Sequence, residues 1–171
     1  FSLYKKIPEY KLLNSSMTLD QFKIIYWWEY LHRLLGRFIG IFYFLPLIYF
    51  TIKKRIKGMR LISLYAIFFL ICFQGFIGWY MVESGLTERT DVSQYRLSLH
   101  LSLAFVIFIL SLWNFFLFNY KNNLNINKKL PFYFPNLLIF LIFLQISVGA
   151  FVSGLDAAKA YQTWPLMNHF Y

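Results

Sequence analysis

Four ionisable side chains lie close together where an apolar stretch begins, in the segment WWEYLHRLLGR at residues 27–37. Glu29 stands three residues before His32, which places both on one face of a helix. Arg33 and Arg37 follow. A carboxylate can transfer protons, and an imidazole can transfer protons or bind a metal ion. Because ionisable groups are costly in a membrane, their presence at the edge of an apolar helix suggests a functional site.

The composition predicts a membrane protein. Of the 171 residues, 59% are hydrophobic and 23% are aromatic, whereas only 14% are charged. The net charge of +10 does not indicate a nucleic-acid partner, because the cations lie in short blocks between apolar runs. The one cysteine, Cys72, lies within an apolar run, so the sequence offers no disulfide framework.

Apolar stretches long enough to cross a membrane predict an all-α fold, a polytopic membrane helix bundle with four transmembrane helices. The predicted spans are residues 31–52, 61–82, 97–118 and 137–155. A helix of about 22 residues is about 33 Å long, which is enough to cross a hydrocarbon core of about 30 Å. Pro46 lies deep in the first span, where we expect it to kink the helix or to face a neighbouring helix.

The connecting loops predict the orientation of the spans. The loop KKRIKGMR at residues 53–60 contains five cations, the loop YKNNLNINKK at residues 120–129 contains three, and neither contains an acid. Basic loops remain on the cytoplasmic or matrix side of the membrane. We therefore expect a multi-pass protein of a bacterial inner membrane, or of the mitochondrial inner membrane if the chain is eukaryotic, with residues 1–30 outside.

Two histidines fall at the same depth in this arrangement. His32 lies one turn inside the outer end of the first span, and His100 lies one turn inside the outer end of the third. Two imidazoles that face each other between helices are suited to hold haem iron as axial ligands. Another metal is disfavoured, because no carboxylate or thiol accompanies both histidines. The alternative is that each histidine is an interfacial residue bonded to a backbone carbonyl.

Small residues and arginines surround the predicted pair. Gly36 and Gly40 continue the face of His32 along the helix, which would suit either a flat porphyrin or a contact between helices. Arg33, Arg37 and Arg96 lie at the outer boundary, where each could meet a haem propionate or extend to a lipid headgroup.

The carboxylate of Glu29 has three candidate roles. It could donate or accept a proton in oxygen chemistry beside a haem, or orient His32 as a hydrogen-bond partner. It could also stabilise the start of a helix, where acids are favoured by the helix dipole. The sequence alone does not separate these roles.

Two segments of the chain are similar to each other. FQGFIGWYMVESGL at residues 73–86 and LQISVGAFVSGL at residues 144–155 share a glutamine, a glycine four residues later and a closing Ser-Gly-Leu. Each closes a span predicted to run from inside to outside. The repeat suggests a duplicated membrane architecture.

Four motifs, in order, resemble signatures of the haem A synthase family in its mitochondrial and alpha-proteobacterial branch. They are WWEYLHRLLGRFIG, GWYMVESGL, DVSQYRLSLHL and GAFVSGLDAAKAYQTWPLMN, and with the leading PEYKLLNSSMTLDQFKIIYWWE they cover essentially the whole chain. The resemblance implies oxidation of a methyl group of haem O to a formyl group, by successive hydroxylations and loss of water. The product, haem A, serves cytochrome c oxidase.

The resemblance also implies that the chain is an internal fragment of an eight-helix parent made of two similar halves. The N-terminal haem-binding half would contribute residues 31–118, a cytoplasmic or matrix linker would cover 119–133, and the C-terminal half would begin within 134–171. Such a fragment is expected to be inactive alone. His169 matches neither histidine of the second half, which would bind haem b beyond the chain.

Carried over to this sequence, the resemblance makes His32 and His100 the iron ligands for the substrate haem O, and Glu29 the acid that takes part in its oxidation. A haem O synthase would supply the substrate within the lipid bilayer. The electron donor is not identified, and formation of a homo-oligomer is left open.

Two other classes of function compete with this interpretation. A non-catalytic b-type membrane cytochrome that passes electrons would use the same histidine pair but would not need Glu29. A transporter or assembly factor without haem would tolerate replacement of both histidines.

Overall fold

The computed structural model describes residues 1–85, 90, 92–119 and 133–157, and all regular secondary structure in these residues is helical. After a short 3-10 helix at Tyr4–Lys6, the α-helices are α1 (Pro8–Leu12), α2 (Leu19–Ile52), α3 (Met59–Gly85), α4 (Gln94–Asn119) and α5 (Tyr133–Gly154). The last four are long and apolar enough to cross a membrane. The predicted all-α, multi-pass bundle is thereby confirmed. The second basic loop (120–129), most of the predicted linker and His169 lie outside the described residues.

Helix α2 is longer than the span predicted from hydropathy, because it begins at Leu19 rather than at Leu31. A capping box at Thr18 and Gln21 starts the helix: the Gln21 backbone N–H donates to Thr18 Oγ1 at 3.4 Å, and the Thr18 N–H donates to Gln21 Oε1 at 2.9 Å. These polar turns carry no apolar signal. The ionisable cluster therefore lies within a continuous helix rather than at its start.

The surface of the bundle is apolar, as a lipid environment requires. Large side chains such as Phe42 (72% exposed) and Phe69 (68% exposed) point away from the other helices. Within the described residues the buried aliphatic side chains are few: Leu47, Ile67, Ile77 and Ala150. A surface of this kind is stable in lipid, where outward apolar side chains meet hydrocarbon and helices satisfy their own backbone groups.

The membrane helices pack in chain order, α2 against α3, α3 against α4, and α4 against α5. Helices α4 and α5 are joined by serines: Ser98 Oγ donates to the Ser147 carbonyl at 3.1 Å, and Ser102 Oγ lies 2.9 Å from Ser147 Oγ. Association in lipid lacks the hydrophobic driving force available in water, so such hydrogen bonds and small interface residues hold the helices together.

Helix α2 is attached to α3 through only part of its length. Tyr43 Oη donates to the Leu64 carbonyl at 3.2 Å, and Thr51 Oγ1 lies 3.0 Å from Tyr65 Oη. These contacts lie toward the basic loop at residues 53–60. In the described part of the chain, no Cα of α2 approaches a Cα of α4 within 8 Å. Helices α2 and α4 therefore do not pack directly on each other in the described residues.

Replacement of Gly154 by alanine should weaken the packing of α5 on α4. A Cβ at this position would lie 2.8 Å from the Gln94 Cα, which is backbone and cannot rotate away. Overpacking of this kind costs about 1–3 kcal/mol. We expect Gly154→Ala to lower the midpoint of thermal unfolding in detergent. Gly149→Ala is the matched control on the same helix, because a Cβ there meets nothing within 4 Å. Equal midpoints for both variants would contradict this packing.

Candidate haem-binding site

His32 lies on an open face of α2. Its side chain is exposed and makes no hydrogen bond within the part of the chain that the structure describes. Gly36 and Gly40 continue this face, and a Cβ added at either glycine would meet nothing within 4 Å. The surface below the imidazole is thus flat and free of neighbouring side chains, as a planar ligand requires.

His100 on α4 packs against α3. Its imidazole rests on Gly78, where an added Cβ would lie only 2.9 Å from the His100 Cε1. One turn earlier on α3, Gln74 Nε2 donates to the His100 carbonyl at 2.9 Å. Glycine at 78 lets the ring lie against the α3 backbone, and Gln74 fixes the α4 backbone at the same level. Helix α3 therefore determines where the His100 imidazole lies.

Two buried polar atoms near this contact have no hydrogen-bond partner among the described residues. They are His100 Nδ1 and Gln74 Oε1. Buried polar atoms in folded proteins nearly always have a partner, and an atom without one indicates a site for a further group. A metal-bound imidazole uses one ring nitrogen for the metal and requires a hydrogen-bond partner for the other.

The two predicted ligands lie on different helices. His32 is on α2 and His100 is on α4, and these helices do not pack on each other in the described residues. Among the described residues, no group of three or more His, Cys, Asp or Glu side chains is placed to hold a metal ion. Two histidines are a donor set that fits a haem iron, whose other ligands come from a porphyrin.

Glu29 is paired with Arg33 on the same helix. Arg33 Nη2 donates to Glu29 Oε2 at 3.2 Å, and the two side chains remain 47% and 57% exposed respectively. The helix-start role considered for Glu29 is wrong, because α2 begins at Leu19 and the dipole acts mainly on the first turn. The proton-transfer role is left open. An exposed ion pair is weak, so the carboxylate can exchange Arg33 for another partner.

The other two predicted arginines differ in their surroundings. Arg96 Nη1 donates to Ser84 Oγ, and its guanidinium lies 5.0 Å from the centroid of the Tyr80 ring. Arg96 thereby joins α4 to α3 and is already partly engaged. Arg37 is exposed and makes no ion pair or hydrogen bond within the described ranges. Of the three arginines, Arg37 is the one available to an anionic group without loss of an existing contact.

The sequence did not identify Gln74 and Gly78 as parts of this site. Both occur in the internal repeat, as the glutamine and the glycine four residues later. The equivalent residues in α5 are Gln145 and Gly149. The repeated spacing was therefore an available signal, but without the structure it indicated only a duplicated helix and not a surface for an imidazole.

The fold defines a multi-pass membrane helix bundle that carries a histidine on each of two of its described helices, α2 and α4. The chain belongs to the COX15-CtaA family, described as cytochrome oxidase assembly protein, whose match covers residues 1–171. No solved structure matches the chain.

Curated relatives match nearly the whole chain. A protein named "Heme A synthase" from Pelagibacter ubique is 51% identical over 98% of this chain and 49% of its own length. Proteins of the same name from Maricaulis maris and Nitrosomonas eutropha are 46% and 45% identical, again over 98% of this chain and 49% and 48% of their own lengths. The chain spans about half the length of the curated relatives it matches.

Replacement of Gly78 by alanine should displace the His100 imidazole. The added methyl group would lie 2.9 Å from Cε1, so the ring must move away from α3. Changes to groups that orient a metal ligand typically reduce metal affinity by about 10- to 100-fold. We expect a loss of this size in haem affinity, measured by optical titration of the complete gene product. Gly75→Ala is the control, because a Cβ there meets nothing within 4 Å. If Gly78→Ala bound haem as tightly as Gly75→Ala, α3 would not position this ligand.

Proposed function

We propose that the complete protein containing this chain is a haem A synthase, which oxidises a methyl group of haem O to a formyl group. The observation that carries the proposal is the 51% identity, over 98% of the chain, to a protein named "Heme A synthase". The presence of His32 on α2 and His100 on α4 supports it, because a pair of imidazoles can hold a haem iron. The family description, cytochrome oxidase assembly, agrees with a product destined for that enzyme.

In this proposal haem O is the substrate of the half of the protein seen here. His32 on α2 and His100 on α4 would hold its iron, and Gly36 and Gly40 would leave room beside His32 for a flat ring. Arg37 is exposed and would be available to a propionate. A haem b in the remaining length of the protein would complete the cofactor set. Haem O itself would come from a haem O synthase in the same membrane.

Glu29 is the group that we propose for proton transfer. It precedes His32 by three residues on α2, so both side chains share a face. Its contact with Arg33 at 3.2 Å holds the carboxylate on this face without burying it. When the porphyrin is bound, Glu29 accepts or donates the protons that the oxidation of the methyl group requires.

The location follows from the charges at the two ends of α2. The loop at residues 53–60 contains five cations, and the end that carries His32 lies on the opposite side of the bundle. Basic loops stay on the cytoplasmic side, so the histidine pair would lie near the outer face. The relatives are bacterial, which favours the inner membrane.

Replacement of both histidines should remove haem O from the complete gene product. We expect His32→Ala/His100→Ala protein, purified from cells that supply haem O, to lose haem O and its oxidised derivatives while keeping haem b. Mass spectrometry of the extracted haem gives the readout. His169→Ala is the control and should retain the wild-type haem content. An unchanged haem O content in the double variant would refute the ligand assignment. Wild-type protein that contains haem b and no haem O would favour an electron-transfer cytochrome.

Replacement of Glu29 by glutamine should stop turnover without removing the substrate. Glutamine keeps the size of the side chain but cannot exchange a proton, and loss of an acid–base group costs about 10²- to 10⁴-fold in rate. We expect Glu29→Gln protein to accumulate haem O and to make haem A at a rate reduced in this range. Asp20→Asn is the matched control, since Asp20 is also ion-paired on α2, with Lys23 at 2.9 Å. Equal rates in both variants would rule out the proposed role.

A further inference from the structure

A second cavity lies at the opposite end of α2 from the histidines. Its volume is about 680 Å³, and it is an open cleft lined by residues of α2, the 53–60 loop, α3 and the end of α4. The lining residues that matter here are Pro46, Phe50, Leu64, Phe118, Arg55 and Arg60. Pro46 lies about 21 Å along α2 from His32, so this cavity is separate from the candidate haem site.

The mouth of the cavity is positively charged. Arg55 and Arg60 line it, and both also line an adjoining space of about 340 Å³ together with Lys57. Neither arginine makes an ion pair within the described residues, and the sequence has no acid between Glu29 and Glu83. The Arg60 guanidinium lies 5.5 Å from the centroid of the Phe118 ring, which holds it at the cavity wall. Two cations without counter-charges therefore converge on one opening.

The wall behind these cations is apolar. Phe50, Pro46 and Leu64 continue the cavity away from the mouth, between α2 and α3. The packing of α2 on α3 closes this space from one side, where Tyr43 donates to the Leu64 carbonyl. A ligand that binds to both the basic mouth and the apolar wall must carry an anionic head and a hydrocarbon tail. Basic residues that only contact lipid headgroups at the membrane surface need no apolar cavity beside them.

We propose that this cavity binds one anionic phospholipid, with the phosphate between Arg55 and Arg60 and an acyl chain against Pro46, Phe50 and Leu64. The guanidinium groups offer bidentate hydrogen bonds to the phosphate, and anionic lipids are attracted to basic segments at the cytoplasmic surface. The lipid joins α2 to α3 and α4 at the end where α2 is attached. The binding does not depend on the haem chemistry proposed above.

The test is native mass spectrometry of the complete gene product in mixed micelles of dioleoylphosphatidylglycerol and dioleoylphosphatidylcholine. Wild-type protein should retain the phosphatidylglycerol preferentially. Arg55→Gln/Arg60→Gln should reduce its retention by about tenfold or more, since each basic residue near an anionic lipid contributes measurably. Lys53→Gln/Lys54→Gln is the matched control: it removes the same charge from the same loop, but neither lysine lines the cavity. This control should retain the lipid as the wild type does.

A cavity-filling variant tests the apolar part independently. Leu64→Trp leaves both arginines in place but occupies the space for the acyl chain, so it should also lose the bound phosphatidylglycerol. It decides the question if the arginine variant does not fold. Equal loss in the lysine and arginine variants, no preference over phosphatidylcholine in the wild type, or full retention by Leu64→Trp would each overturn the proposal.

Discussion

The arrangement of the site depends on α3, because among the helices that the structure describes it alone packs on both α2 and α4. Helices α2 and α4 carry the histidines but do not pack on each other in the described part of the chain. Helix α3 attaches α2 near the basic loop and supports His100 through Gly78. It thereby links the two helices that carry the histidines. A direct α2–α4 contact at this level would leave no room for a porphyrin.

The polar groups inside the bundle divide into two kinds. Some hold helices together, such as Ser63 Oγ, which donates to the buried Asn114 Oδ1 at 2.7 Å, and the serines between α4 and α5. These groups are satisfied by one another, as packing in lipid favours. His100 Nδ1 and Gln74 Oε1 are buried without a partner in the described residues. The contrast distinguishes the polar groups that join helices from the two polar atoms that have no partner among the described residues.

Much of the fold and part of the site could be predicted from the sequence. Long apolar runs identified the four membrane helices, because hydropathy is a local signal. His32 and His100 were selected as ligands by their predicted depth, and this assignment stays a prediction. The start of α2 was missed, since its first turns are polar and depend on the Thr18 cap. Gln74 and Gly78 were missed because their role is a contact between helices. Arg96 contacts Ser84 and Tyr80. These two partners could not be predicted either, because the contacts join different helices.

The central claim is that His32 and His100 together hold one haem in the gap between α2 and α4. The most direct test is a cryo-electron microscopy map of the complete gene product loaded with haem O. The account predicts porphyrin density between the two helices, along Gly36 and Gly40, with iron bonded to a nitrogen of each histidine. A porphyrin bound elsewhere in this half of the protein, or bonded to only one of the two histidines, would contradict it.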